Sequence, residues 1–198
     1  MKNIITIQHA QSEQHVNGMV GSWTDWELTD LGREHAENIG RKLSAELQGR
    51  EWRLYSSDLK RAMQTARPLA GYLGIEIETR EDLREMYFGE AIGKSKQWAR
   101  ENRLPVNSIN DPAYCGAETW RMFWNRIEAA CDEIIADEGE KVIVVAHAGT
   151  LAVWRQVWLG SATRELEAFD PAGSVTFLRI EENGAHIIDR CCDLSYRS

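Results

Sequence analysis

Short apolar runs and longer amphipathic stretches take turns along this chain. Ile4-Ile5-Thr6-Ile7 and Val142-Ile143-Val144-Val145-Ala146 are nearly continuous and rich in β-branched residues, as expected of strands buried on both faces of a parallel sheet. Leu31, Ala36, Ile39, Leu43 and Leu47 recur at helical spacing behind Thr29, a suitable N-cap. Trp52 to Ser56 reads as a short strand. Ser57 or Asp58 is expected to cap a helix running toward Tyr72, with Gly74 as its stop. Ile75 to Thr79 alternates as another strand, Ala117 to Ala136 as a long amphipathic helix, and Leu151 to Trp158 as a helix behind the strand 142–146. Ser174 to Ile180 and Ala185 to Cys191 flank Glu182-Asn183-Gly184, an Asn-Gly hairpin signal.

Alternating strands and helices followed by a hairpin predict an α/β fold, a three-layer αβα sandwich whose central sheet is mostly parallel with an antiparallel addition. With 198 residues the chain has the length of one well-buried domain, expected to span 1–198. Two stretches lack a period. Residues 11–27 read as a long loop, and in 82–114 Gly89, Gly93 and Pro105 interrupt short helical pieces, so a lid insertion is expected there. Loops of that length inside a compact domain are usually functional.

Charge narrows the range of partners. Against 23 Lys and Arg stand 31 Asp and Glu, a net charge of −8. That balance argues against nucleic acid or an anionic membrane surface as a partner, since both select clustered positive charge. No apolar run approaches the roughly 20 residues that cross a bilayer, and four cysteines without a Cys-x-x-Cys pair read as reduced thiols. A cytoplasmic location is therefore expected.

The candidate chemistry begins with two histidines, each directly after an apolar strand: His9 in Gln8-His9-Ala10-Gln11-Ser12 and His147 in Ala146-His147-Ala148-Gly149. In parallel sheets, ligands collect beyond the carboxyl ends of the strands, so two imidazoles delivered there suggest a shared site. A neutral imidazole can attack phosphorus, and an arginine can hold the developing negative charge. A carboxylic acid can then protonate the leaving alcohol. Arg61, in the first turns after a strand, and Glu85, in Leu83-Arg84-Glu85-Met86, supply those groups.

With these residues in order, the chain resembles the histidine phosphatase superfamily, the group that includes phosphoglycerate-mutase-like phosphatases. Gln8-His9-Ala10-Gln11-Ser12 is similar to its Arg-His-Gly-x-Ser/Thr, and Ser22-Trp23-Thr24-Asp25-Trp26-Glu27-Leu28-Thr29-Asp30-Leu31-Gly32 to its Gly-Trp-x-Asp-x-x-Leu-Thr-x-x-Gly. Ser57 to Ala66 is similar to Ser-Asp-Leu-x-Arg-Ala-x-Gln-Thr-Ala, and Gly116-Ala117-Glu118-Thr119 to Gly-Gly-Glu-Ser. The resemblance implies a phosphomonoester hydrolase acting on a small phosphorylated metabolite. His9 would be the nucleophile that becomes phosphohistidine, Glu85 the proton donor and His147 a third catalytic group. Arg61, Gln8, Ser12 and the backbone N–H of Ala148 would bind the phosphate. It implies no cofactor and no metal.

The chain departs from the pattern at Gln8, where the family has arginine, and at Ala10, where it has glycine. His15 stands where an asparagine often contacts phosphate, and would restore positive charge if its pKa were raised. Gln8 motivates an alternative expectation, a catalytically weakened or inactive phosphoester-binding member of the same family. Three further readings compete. Cys115 to Arg121 has the Cys-x5-Arg spacing of thiolate phosphatases, although Glu118 would intrude on the anion cradle. His9, Glu13, His15 and His147 offer a permissive metal set. Trp23, Trp26, Tyr87 and Trp98 are candidates for lining an apolar pocket, with ordinary packing an equal alternative.

Overall fold

The computed structural model describes residues 1–47, 52–136, 139–161 and 169–198. Among them six strands form one sheet in the order β3-β2-β4-β1-β5-β6. These are β1 (Lys2–Gln8), β2 (Arg53–Ser57), β3 (Ile77–Arg80), β4 (Lys141–Ala146), β5 (Val175–Ile180) and β6 (His186–Asp193). The first four in that order run parallel, while β5 and β6 add antiparallel pairs at one edge. The expected αβα sandwich is thus observed.

Strand alternation sorts the core into two layers. Val142, Val144 and Ala146 face a cluster with Phe123, Trp124, Ile127 and Trp154, from α5 (Trp120–Ala136) and α6 (Ala148–Trp158). Ile143 and Val145 face Ile39, Leu43, Ala62 and Leu69, from α2 (Asp30–Leu47) and α3 (Lys60–Leu73). Two short helices, α1 (Glu13–Val16) and α4 (Lys96–Glu101), complete the chain order. No helix among the described residues is long and apolar enough to cross a membrane.

The element boundaries shift where tertiary partners intervene. Thr29 caps α2 as expected, its Oγ1 accepting from Gly32 N at 3.0 Å, and Gly74 ends α3 at a φ of 65°. Neither Ser57 nor Asp58 caps α3. Asp25, from the preceding loop, accepts from Lys60 N at 3.1 Å, which frees Asp58 to pair with Arg84 and Ser57 to serve the site. The long helix begins at Trp120 rather than Ala117, because Glu118 is drawn away to pair with Arg126. Helix α6 begins at Ala148, three residues earlier than its periodicity shows, so His147 is its N-cap. The loop 11–27 contains α1, and backbone bridges pair Ser12 with Leu28 and Met19 with Ser95. The last bridge joins that loop to the segment 82–114, which holds two 3-10 turns and α4. Cys191 and Cys192 do not alternate across the strand: β6 is bulged, Cys192 has a φ of 52°, and the two sulfurs lie 3.6 Å apart.

Gly32 fastens the first loop to α2. A Cβ built there would lie 1.9 Å from the carbonyl oxygen of Gln11, a backbone atom that cannot swing aside. Gly32→Ala is therefore expected to cost about 1–3 kcal/mol, measured as a lower urea midpoint with an unchanged slope.

Candidate active site

Parallel pairing brings the two histidines together. Gln8 is in register with Ala146, so the residues that follow, His9 and His147, leave adjacent strands at the same level. His9 N still donates to Ala146 O at 2.9 Å, and the imidazole centroids lie 5.1 Å apart. Strand β2 flanks β4 on its other side and ends at Ser57, whose hydroxyl contacts His147 Nε2 at 2.8 Å. Arg61, in the first turn of α3, reaches across to His9.

The hydrogen bonds define the chemical state of each group. His9 Nδ1–H donates to Ala10 O at 2.8 Å, leaving the Nε2 lone pair to accept from Arg61 Nε at 3.2 Å. Arg61 is fully buried. Its Nη1 donates to Thr24 O at 2.8 Å and its Nη2 to Ser22 O at 2.7 Å, with no carboxylate among these contacts. Burial pulls its pKa down to about 10, against the opposing pull of Glu85 and Asp25. Burial first, then Arg61, holds both His9 and His147 well below the ordinary imidazole value. Both rings are therefore neutral near pH 7, and His147 Nδ1, buried without a partner, remains available to a ligand.

Glu85 arrives from the loop beyond β3 and settles on the N-terminus of α6. Its Oε1 accepts from Met86 N at 2.9 Å and its Oε2 from Gly149 N at 3.0 Å. A Cβ at 149 would lie 2.3 Å from Glu85 Oε1, so any larger residue there would displace the carboxylate from this position. Two arginines that the sequence reading passed over hold this loop. Arg126 donates to the carbonyls of Asp82, Arg84 and Glu85 while paired with Glu118, whose Oε2 also accepts from Tyr87 N. Arg84 forms a two-point pair with Asp58 and lies over the Trp23 ring. Arg126 had one legible signal: it shares a helical face with buried Phe123 and Ala130.

The remaining expected residues have varied surroundings. Gln8 is buried, and its Oε1 has no hydrogen-bond partner. Ser12 is buried behind His15, its N–H donating to His15 Nδ1 at 2.9 Å. Ala148 lines the cavity beside the cluster. His15 lies 5.4 Å from His9 between ring centroids, but its pKa is lowered by partial burial and by Arg61 and Lys96, opposite to the shift that would restore positive charge. The methyl of Ala10 packs with Leu28 and Ala36, while its N–H donates to Thr65 Oγ1 at 3.0 Å.

The competing sets do not assemble. Cys115 is exposed, Glu118 turns to Arg126, and Arg121 donates to Asn110, so no thiolate cradle forms. Among the described residues no three His, Cys, Asp or Glu side chains gather as a metal-binding group. Trp23, Trp26, Tyr87 and Trp98 do not line the cavity: Trp23 packs edge-on against Tyr87 and donates to Glu85 O, and Trp98 lies under Lys94.

Known proteins share this arrangement of elements. A family model described as the histidine phosphatase superfamily (branch 1) matches residues 4–192. Phosphoglycerate mutase-like protein 4 of Arabidopsis thaliana is 30% identical over 156 residues, covering 75% of this chain and 67% of the relative. The 2,3-bisphosphoglycerate-dependent phosphoglycerate mutase of Methylorubrum populi is 26% identical over 192 residues, 87% of this chain and 86% of that one. In fold, a mycobacterial glucosyl-3-phosphoglycerate phosphatase superposes with a TM-score of 0.80 at 22% identity, over 95% of this chain and 97% of that chain.

Because both strand-end imidazoles are held below their ordinary 6.5, the unfolded chain binds these protons at a higher pH than the folded one. Stability from these groups is complete above about pH 6.5 and falls on acidification, by up to about 1.4 kcal/mol per pH unit for each ring. Urea unfolding at pH 7.5 and 5.5 measures this. His147→Gln is expected to flatten the dependence, and an unchanged slope would contradict a buried neutral His147.

Proposed function

The chain belongs to the histidine phosphatase superfamily (branch 1), and from that premise we propose that it hydrolyses a small phosphomonoester through a phosphohistidine at His9. The observation that carries this reading is the state of the His9 ring. Its Nδ1–H is tied to the residue 10 carbonyl, its Nε2 keeps a lone pair, and a buried guanidinium stands 3.2 Å from that nitrogen. A fixed tautomer kept unprotonated by burial is what a nucleophilic imidazole needs at neutral pH.

In the first step His9 Nε2 attacks phosphorus, and the N–P bond forms as the ester P–O bond breaks. Phosphate oxygens take over the Arg61 Nε–H, and His147 Nδ1–H and the Ala148 N–H supply further donors to the developing charge. The Ser57 hydroxyl lies 2.8 Å from His147 Nε2, and in the proposed state it donates there and so keeps the proton on Nδ1. Glu85 gives its proton to the leaving alkoxide oxygen. In the second step water attacks phosphorus and passes a proton to the Glu85 carboxylate. The P–N bond breaks, releasing inorganic phosphate and restoring the His9 lone pair. The balance closes without a redox group or metal. Gln8 and Ser12 are assigned to the phosphate side of the cluster as uncharged donors, and four free cysteines accord with a reducing, cytoplasmic setting.

Gln8 favours a second reading, a weakened phosphoester-binding member. One oxyanion-type donor contributes roughly 3–4 kcal/mol, a hundred- to a thousandfold in rate, and an amide replaces only part of what a guanidinium supplies.

His9→Ala is expected to abolish turnover of 4-nitrophenyl phosphate and to remove an acid-labile, base-stable phosphoprotein trapped from wild type by rapid quench. Equal turnover by the two proteins would refute the phosphohistidine. Gln8→Arg is expected to raise kcat roughly tenfold where chemistry limits the rate. A fall would assign the amide a dedicated role and turn the balance toward the binding reading.

A further inference from the structure

A cavity of about 400 Å³ opens beside the imidazole pair. Its lining includes His15, Glu85 and Ala148, which also border the candidate phosphate position, so its occupant is the part of the substrate that leaves as the alcohol. Resting on the phosphatase reading, we infer that this substrate is the monophosphate of a bulky apolar alcohol, an alkyl, alicyclic or aryl ester whose phosphate is its only anionic group.

The walls give the chemistry. Met19 and Val20 come from the first loop, Met86 and Phe88 from the segment after Glu85, and Trp120 and Phe123 from α5. Phe169 and the methyl of Ala148 add to these apolar groups, while Gln14, His15 and Ser22 are the uncharged polar side chains of the lining and, among the described residues, Lys96, itself exposed, and the proposed proton donor Glu85 are its ionisable base and acid. A substrate bearing a second phosphate or a carboxylate would have to desolvate that group against hydrocarbon with one solvated lysine nearby, at a cost of several kcal/mol. An apolar alcohol gains by the same transfer. The volume falls within the range of pockets that enclose most of a small organic ligand.

These walls are also fixed in place. Phe123 belongs to the buried core, and Met86 and Trp120 pack against it. Val20 is held by backbone bonds to Gly93 and Lys94, and the backbone of Phe88 by Ser22 Oγ at 3.0 Å. Of the polar lining groups, Ser22 Oγ is taken up by Met86 O and Phe88 N and His15 Nδ1 by Ser12 N, so the mostly apolar wall discriminates chiefly by shape and hydration.

The test compares cyclohexylmethyl phosphate, glycerol 1-phosphate and 3-phosphoglycerate, all esters of primary alcohols, so that differences in leaving-group chemistry stay small. With the intact protein, kcat/KM is expected to be at least tenfold higher for the cyclohexylmethyl ester than for glycerol 1-phosphate, with 3-phosphoglycerate lowest. Phe88→Ala should lower the first value mainly through KM. Val20→Lys, which plants a cation in the wall, should narrow the deficit of 3-phosphoglycerate. Calorimetric binding of the three esters to His9→Ala reads the same preference without turnover. A ranking led by 3-phosphoglycerate in both assays overturns this inference and leaves the phosphatase reading intact. Turnover that persists in His9→Ala overturns that reading, while the binding order still decides the apolar preference.

Discussion

Burial of the Arg61 guanidinium is the constraint around which the rest of the molecule is arranged. A cation taken fully out of water costs several kcal/mol unless its donors are met. Here they are met by two carbonyl oxygens and one imidazole nitrogen rather than by a carboxylate. Bonds from a charged donor are worth about 1.5–3 kcal/mol each, so three of them are of the same order as the burial cost. Because no carboxylate neutralises the charge by direct contact, it remains available to an anion. The arrangement also explains a strained residue. Ser22 has a φ of 49° where the resembled motif has glycine, and in that conformation its carbonyl meets Arg61 while its hydroxyl donates to Met86 O. Left-handed backbone at a non-glycine position persists only where surrounding contacts impose it, and here both contacts belong to the site.

The same burial keeps the imidazoles uncharged. His9 and His147 lie against one another and against Arg61, and protonating either would place like charges together in a dry pocket. The cluster is consequently rich in nucleophilic and donor groups but modest in net charge. Gln8 adds to that modesty, and its buried, unpartnered Oε1 is a local cost of about 1–3 kcal/mol of the kind that gathers at functional sites. The proposed phosphate position, modest in charge, lies beside an apolar cavity, and both features suit the proposed substrate with one anionic group.

Glu85 shows how much scaffolding one carboxylate requires. Its loop lacks regular strand or helix, so its backbone carbonyls need partners from elsewhere. Arg126 meets those of Asp82, Arg84 and Glu85 while anchored to Glu118, and Arg84 ties the same loop to Asp58. These charges are partly buried and multiply bonded, unlike an isolated surface pair. The Gly-Gly-Glu-Ser-like segment thus contributes by pairing Glu118 with Arg126, which leaves Cys115 exposed and outside the site.

The sequence by itself determined the sandwich, its strands and the strand-end placement of His9 and His147, because apolar period and the strand-to-loop transition are local properties. The motif order brought in Arg61 and Glu85 as well. Only the tertiary structure decided what state those groups occupy. The lowered pKa of His9 and of His15, the partnership of Ser57 with His147 and the scaffolding by Arg126 all depend on residues 41 to 90 positions apart, or on burial that no short window contains. The choice between pocket lining and packing for the aromatic residues was open in the sequence for the same reason. Tryptophans at 23 and 98 are directed to Tyr87 and Lys94, and Met19, Phe88 and Phe123 come together at the cavity in their place. Periodicity reports which face a residue presents, whereas hydrogen-bond partners and desolvation are set by whatever the fold lays against that face.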